Sequence, residues 1–181
     1  TFKDSGGLEL TGNPMEMNQN ALRLFEDGNK KIGGVTKEID ASRIRLNPQE
    51  FKQKLIQEIK PKFQEDYTAI SKIIVDVNKS KKTGLSMSSL EELRQKWGAS
   101  GFRDKTVTSR EAETYQKAFK AVADEIENHI KDVNPDLLDI YKLGKKHEEA
   151  GLTVSQALQD RIASSESSNS IVKSNFLGKS A

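Results

Sequence analysis

Cysteine is absent from the chain, which excludes disulfide frameworks, thiol nucleophiles and cysteine-held metal sites together. Histidine is scarce: His129 and His147 stand on separate predicted helices, outside any two-histidine ligand signature and without a nucleophile beside them. Both are expected to pack or cap, so no metal and no cofactor is predicted. No apolar run approaches the ~20 residues that span a bilayer, and the first residues lack the charged and apolar regions of a secretory signal. A soluble chain is expected. An excess of one charge is missing too: 29 Lys and Arg are interspersed with 27 Asp and Glu, for a net charge of +2. Strong non-specific attraction to nucleic acid is therefore not expected. Thr1 in place of methionine leaves room for a longer chain.

Hydrophobic residues make up 34% of the chain and charged residues 31%, so the core must consist of narrow stripes, one along each element. That composition predicts an all-α fold, an elongated bundle of antiparallel helices joined by short turns. Residues 1–14, with Gly6, Gly7 and Gly12, are expected to form a flexible arm. Residues 15–163 are expected to form one helical domain. Residues 164–181 are expected to form a serine-rich linker over Ser164 to Ser170, then a short amphipathic segment with Ile171, Val172, Phe176 and Leu177.

Within the domain, Leu22, Phe25, Ile32, Val35 and Ile39 make a first helical stripe. Gly28, Gly33 and Gly34 weaken it, each by ~1 kcal/mol relative to alanine, so a break near Gly28 or Gly33 is open. Asn47, Pro48 and Glu50 form a strong helix start. The stripe Phe51, Leu55, Ile56 and Ile59 follows and ends at Pro61. Phe63, Tyr67, Ile70, Ile74 and Val77 repeat at steps of four and three, the seam of a packed helix. Ser86 predicts a cap for a helix with Met87, Leu90, Leu93 and Trp97 inward, stopped by Gly98 and followed by a loop over Ala99 to Thr106. Thr108 and Glu111 open the longest helix, with Ala112, Tyr115, Phe119, Val122, Ile126, Ile130 and Val133 inward. Asn134 and Pro135 start another with Leu137, Leu138 and Tyr141. Gly151 and Thr153/Gln156 then suggest a separate last helix through Leu158 and Ile162. No segment alternates as a strand does.

Catalytic patterns fail on inspection. No stretch matches a phosphate-binding glycine loop. Lys82-Thr83-Gly84 and the Ser170 to Lys173 spacing stand in the wrong order for a penicillin-binding serine enzyme. Glu91/Glu92 and Glu148/Glu149 are expected on solvated helix faces, where a glycosidase pair would need a cleft. The basic clusters Lys30/Lys31, Lys79 to Lys82 and Lys142 to His147 follow or close helices, where cations favour the macrodipole. Aromatic residues for base stacking are absent beside them. Asn78-Lys79-Ser80 matches a glycosylation sequon, without a secretion signal to support its use.

Three stretches in order resemble large helical proteins encoded among the virion genes of tailed bacteriophages and prophages. In Ile39 to Phe51 a helix ends at Ala41-Ser42-Arg43 before a leucine-asparagine-proline start. Leu85 to Trp97 reads LSMSSLEELRQKW, and Leu138 to Lys173 carries a tyrosine-lysine helix, a second helix and a Ser/Asn-rich break. The resemblance implies a structural virion component, or one packaged and ejected with DNA, and implies no catalytic residue. The lytic transglycosylase that such proteins often carry has no active-site pattern in this sequence.

The first expectation is thus a non-enzymatic virion-associated protein, or a helical segment of one, packing against itself or other virion subunits. The alternative is a cytoplasmic helical adaptor or regulatory module. The third is a DNA-binding bundle using Lys79, Lys81 and Lys82. Packing is assigned to Phe63, Tyr67, Ile70, Ile74, Val77, Tyr115, Phe119, Val122 and Ile126. Partner contact is assigned to Leu22, Phe25, Phe176 and Leu177.

Overall fold

The structure, a computed structural model, describes residues 13–80 and 84–177, with side-chain surroundings described through residue 164. The expected N-terminal arm, apart from Asn13 and Pro14, lies outside these residues. The protein is an all-α multi-helix bundle. Its described helices are α1 (Pro14–Ala41), α2 (Pro48–Ile59), α3 (Gln64–Ser80), α4 (Met87–Phe102), α5 (Ser109–Val133) and α6 (Leu138–Leu177), with a 3-10 turn at Pro135–Leu137. No described helix is long and apolar enough to cross a membrane.

The helix starts follow from local chemistry. Asn47 accepts from the Gln49 backbone N–H, with Pro48 at the first helical position of α2. Ser86 accepts from Ser89 at the start of α4. At α5 the Thr108 side chain accepts from Glu111 N while the Glu111 side chain accepts from Thr108 N, a complete capping box. α2 stops where Lys60 takes a left-handed backbone (φ 50°) and donates to Ile56 O, just before Pro61.

The chain divides into two compact units, Thr1–Gly33 with Asp139–Ala181, and Gly34–Leu138. In the second unit α2, α3 and α4 all pack on α5. Its core holds Ile39, Phe51, Leu55, Ile59, Ile73, Leu90, Trp97, Val122, Ile126 and Ile130. Phe51 stacks on Trp97 with ring centroids 6.4 Å apart. Asp76 is buried at the edge of the indole and accepts from Trp97 Nε1 at 3.1 Å and Lys96 Nζ at 2.5 Å. The Asp40 carboxylate takes Met87 N at 2.8 Å, Ser88 N at 3.2 Å and the Ser88 hydroxyl, so α1 supplies an acidic cap to α4. Leu46 and Leu85 exchange two backbone hydrogen bonds. Gly84 beside them has φ +95°, and a Cβ there would lie 2.8 Å from Arg45 Cβ.

In the first unit α1 and α6 run antiparallel: Gly28 lies against Gly144 and Glu148, Gly151 against Ala21 and Phe25, and Asn18 against Ser155. Ala21, Val154 and Leu158 cluster there with Met17 packed on them.

Several expectations require correction. α1 is unbroken through Gly28 and Gly33. α4 continues past Gly98 to Phe102, because Gly98 and Gly101 let it lie close against Phe119 and Gln116 of α5. α6 is one helix, without a new start at Gly151 and without a linker over 164–170. The Thr153 hydroxyl donates back to Glu149 O and caps nothing. On α3 the inward face is Ala69, Ile70, Ile73, Asp76 and Val77. Phe63 and Tyr67 are exposed and Ile74 is half-buried, because the small Ala69 and the hydrogen-bonded Asp76 take inward positions that a purely apolar reading gives to larger residues. Ile56 is likewise exposed. Tyr115, Val122 and Ile126 are buried as expected. Phe119 is half-buried, edge-on to Phe102 at 5.4 Å.

Candidate interaction surface

The α1–α6 pair is built on closeness of backbones. A Cβ on Gly28 would lie 2.5 Å from Gly144 O and 2.6 Å from Glu148 N, and one on Gly151 would lie 2.5 Å from Ala21 O. Such separations admit no side chain, so glycine at both places lets the helices approach until main chain meets main chain. Gly144 and Gly151 stand seven residues apart, as do Ala21 and Gly28, which keeps the small residues on one face of each helix.

A polar pair sits beside this seam. The Asp27 carboxylate accepts from Lys31 Nζ and from His147 Nδ1, each at 2.6 Å. The hydrogen bonds from Lys31, and then from His147, hold the Asp27 carboxyl below its usual pKa, against a smaller opposing effect of burial. This bond fixes which face of the imidazole turns to α1. His147 Nε2 is buried and has no hydrogen-bond partner, so it has no route to a substrate while the helices stay together. The pair orients α6 on α1, with the imidazole buried and the Asp27 side chain 41% exposed.

In the second unit His129 is 2% exposed with Nε2 also unpartnered. Burial lowers its pKa, opposed by Asp40, Asp132 and Glu125. Glu91 and Arg94 form a buried pair within one helix, the guanidinium Nε donating at 2.9 Å. Among the described residues no group of three or more His, Asp or Glu is placed to hold a metal ion.

The residues assigned to partner contact are divided by the structure. Leu22 is 48% exposed, while Phe25, three residues on, is half-buried against Gly151. Positions 176 and 177 lie in the last turn of α6. Lys79 is exposed in the last turn of α3, and Lys81 and Lys82 lie outside the described residues. Exposed apolar side chains extend these surfaces: Met15 on the Leu22 face of α1, and Ile140, Leu143 and Ile162 on α6. The glycine seam and the Asp27–His147 pair were missed by sequence reasoning. The seven-residue repeat of small residues was the available signal. The chain matches no protein-family model, no curated protein and no solved structure.

Proposed function

We propose that this chain is a non-enzymatic, virion-associated protein of a tailed bacteriophage or prophage, or a helical segment of one, that acts by packing its helices against other virion subunits. It serves as a structural component or as one packaged and ejected with DNA. The observation that carries the packing role is apolar exposure at helical spacing: Met15 and Leu22 seven apart on α1, and Ile140 and Leu143 three apart on α6. Such stripes suit the apolar face of a partner helix. The virion setting rests on the order of the three resembling stretches in the sequence.

The test is peptide mass spectrometry of density-purified phage particles from an induced culture of the source strain. Peptides of this chain at stoichiometric abundance are expected. Their absence from particles, with presence in the lysate, overturns the virion setting and leaves a cytoplasmic helical adaptor using the same stripes.

A further inference from the structure

We infer that two copies of this chain associate through the outer face of α3, antiparallel and centred on Ser71.

The sequence carries a packed-helix seam along α3, yet only part of it turns into the second unit. Ala69, Ile70, Ile73, Asp76 and Val77 go inward. Beside them a second face runs through Gln64, Tyr67, Ser71, Ile74 and Asn78 in steps of three and four, the spacing of a helix that meets another along its length. Thr68 and Val75 flank it, seven residues apart. Ile74 is half-buried and the others are exposed, Tyr67 by 53% and Val75 by 47%. The middle of this face is prepared to leave water. The Thr68 hydroxyl donates to Gln64 O at 3.2 Å and the Ser71 hydroxyl to Tyr67 O at 2.9 Å, so neither strands a donor when covered. Phe63 stands aside from the face, with the Arg110 guanidinium 3.4 Å over its ring.

A second copy fits this face because the face complements itself. Laid antiparallel about Ser71, Tyr67 stands within one residue's rise of Ile74 of the other copy, and Thr68 within one of Val75. Gln64 is level with Asn78, two amides that each donate and accept. The small Ser71 meets its own copy at the axis and lets the helices come close. Charge sets the direction. Glu65 in the first turn and Lys79 in the last stand fourteen residues apart, on one flank of the face. The antiparallel alignment brings each Glu65 within about 3 Å, along the axis, of Lys79 of the other copy at 1.5 Å per residue. A parallel alignment would set like charges against each other at both ends. Lys72, which comes near its own copy on that flank, is already paired with Glu111 at 3.4 Å. A closed two-fold interface requires such self-complementarity. The inference concerns the isolated chain and does not depend on a virion setting.

The absence of cysteine permits a direct test on the full chain. Light scattering across a concentration series to about 1 mM, a range that reaches the weak contacts one helix face makes, should give a mass rising toward twice the 20.2 kDa chain mass. Ser71→Glu, which sets two like charges on the axis, should return it to the single-chain mass with Trp97 fluorescence unchanged. Glu65→Lys and Lys79→Glu should each weaken the dimer, and the two together should restore it. Ser71→Cys should form a disulfide dimer on oxidation on the order of tenfold faster than Lys105→Cys, an exposed position off the face. A single-chain mass at every concentration overturns the inference, as does a dimer that persists in Ser71→Glu, or equal rates for the two cysteines.

Discussion

Gly28 and Gly144 stand so close that a Cβ on the first would lie 2.5 Å from the carbonyl oxygen of the second. Alanine at position 28 gains ~1 kcal/mol of helix propensity, but the atom it adds meets backbone that cannot rotate away. Overpacking of this kind costs about 1–3 kcal/mol, and main-chain contact belongs at the upper end. Gly28→Ala is expected to destabilise the first unit by about 1–2 kcal/mol. Gly33→Ala and Gly34→Ala, with nothing within 4 Å of the added atom, should stabilise by about 0.5–1 kcal/mol. Denaturant unfolding followed by circular dichroism distinguishes the signs.

Leu22 and Leu24 separate the two faces of α1. Leu24 is fully buried while Leu22 is 48% exposed. Leu24→Ala should cost about 2–5 kcal/mol, and Leu22→Ala should stay within about 0.5 kcal/mol. Equal losses for the two would overturn the assigned phase of the helix.

The single tryptophan reports on its own anchor. Asp76→Ala leaves the buried Trp97 N–H without its acceptor, at a cost of about 1–3 kcal/mol. Asp76→Asn keeps an oxygen at that position and should lose less. Indole fluorescence during unfolding measures both.

Stability of the second unit should begin to fall as pH drops below about 6.5. His129 has its pKa lowered from 6.5, chiefly by burial, so the unfolded chain binds the proton first. The stabilisation is complete above about pH 6.5 and is lost as pH falls through the folded value. His129→Leu should flatten this slope in Trp97-monitored unfolding. Asp66 and Asp104 in this unit, and Asp27 in the first, have pKa values lowered from 3.8, so their losses come as pH falls below that value.

What was legible in the sequence was whatever a few neighbouring residues decide. The caps at Asn47, Ser86 and Thr108, and the stop before Pro61, are local hydrogen-bond chemistry, and each stands where the sequence places it. The phase of α3 was not legible from apolar spacing, because Asp76 goes inward only when Trp97 and Lys96 arrive from α4. The break left open near Gly28 and the new start expected at Gly151 are absent for one reason. Local propensity counts a glycine as weakness, whereas here the missing Cβ is what the opposing backbone requires. Leu22, assigned to partner contact from its own helix, is 48% exposed, whereas the seam on α6 needs both helices at once.

The spacing of those glycines also has a mechanical consequence. Sliding α6 by one turn, about 5.4 Å, would bring Glu148 to the place of Gly144 and Ser155 to that of Gly151, each carrying a Cβ into the opposing main chain. A slip of seven residues would restore one glycine and drive Leu158 into the other contact. The two helices thus mesh at a single notch. A load along their axes meets hard-sphere resistance before it strains any hydrogen bond, so the pair should bear shear and yield sooner to forces that peel it apart from one end.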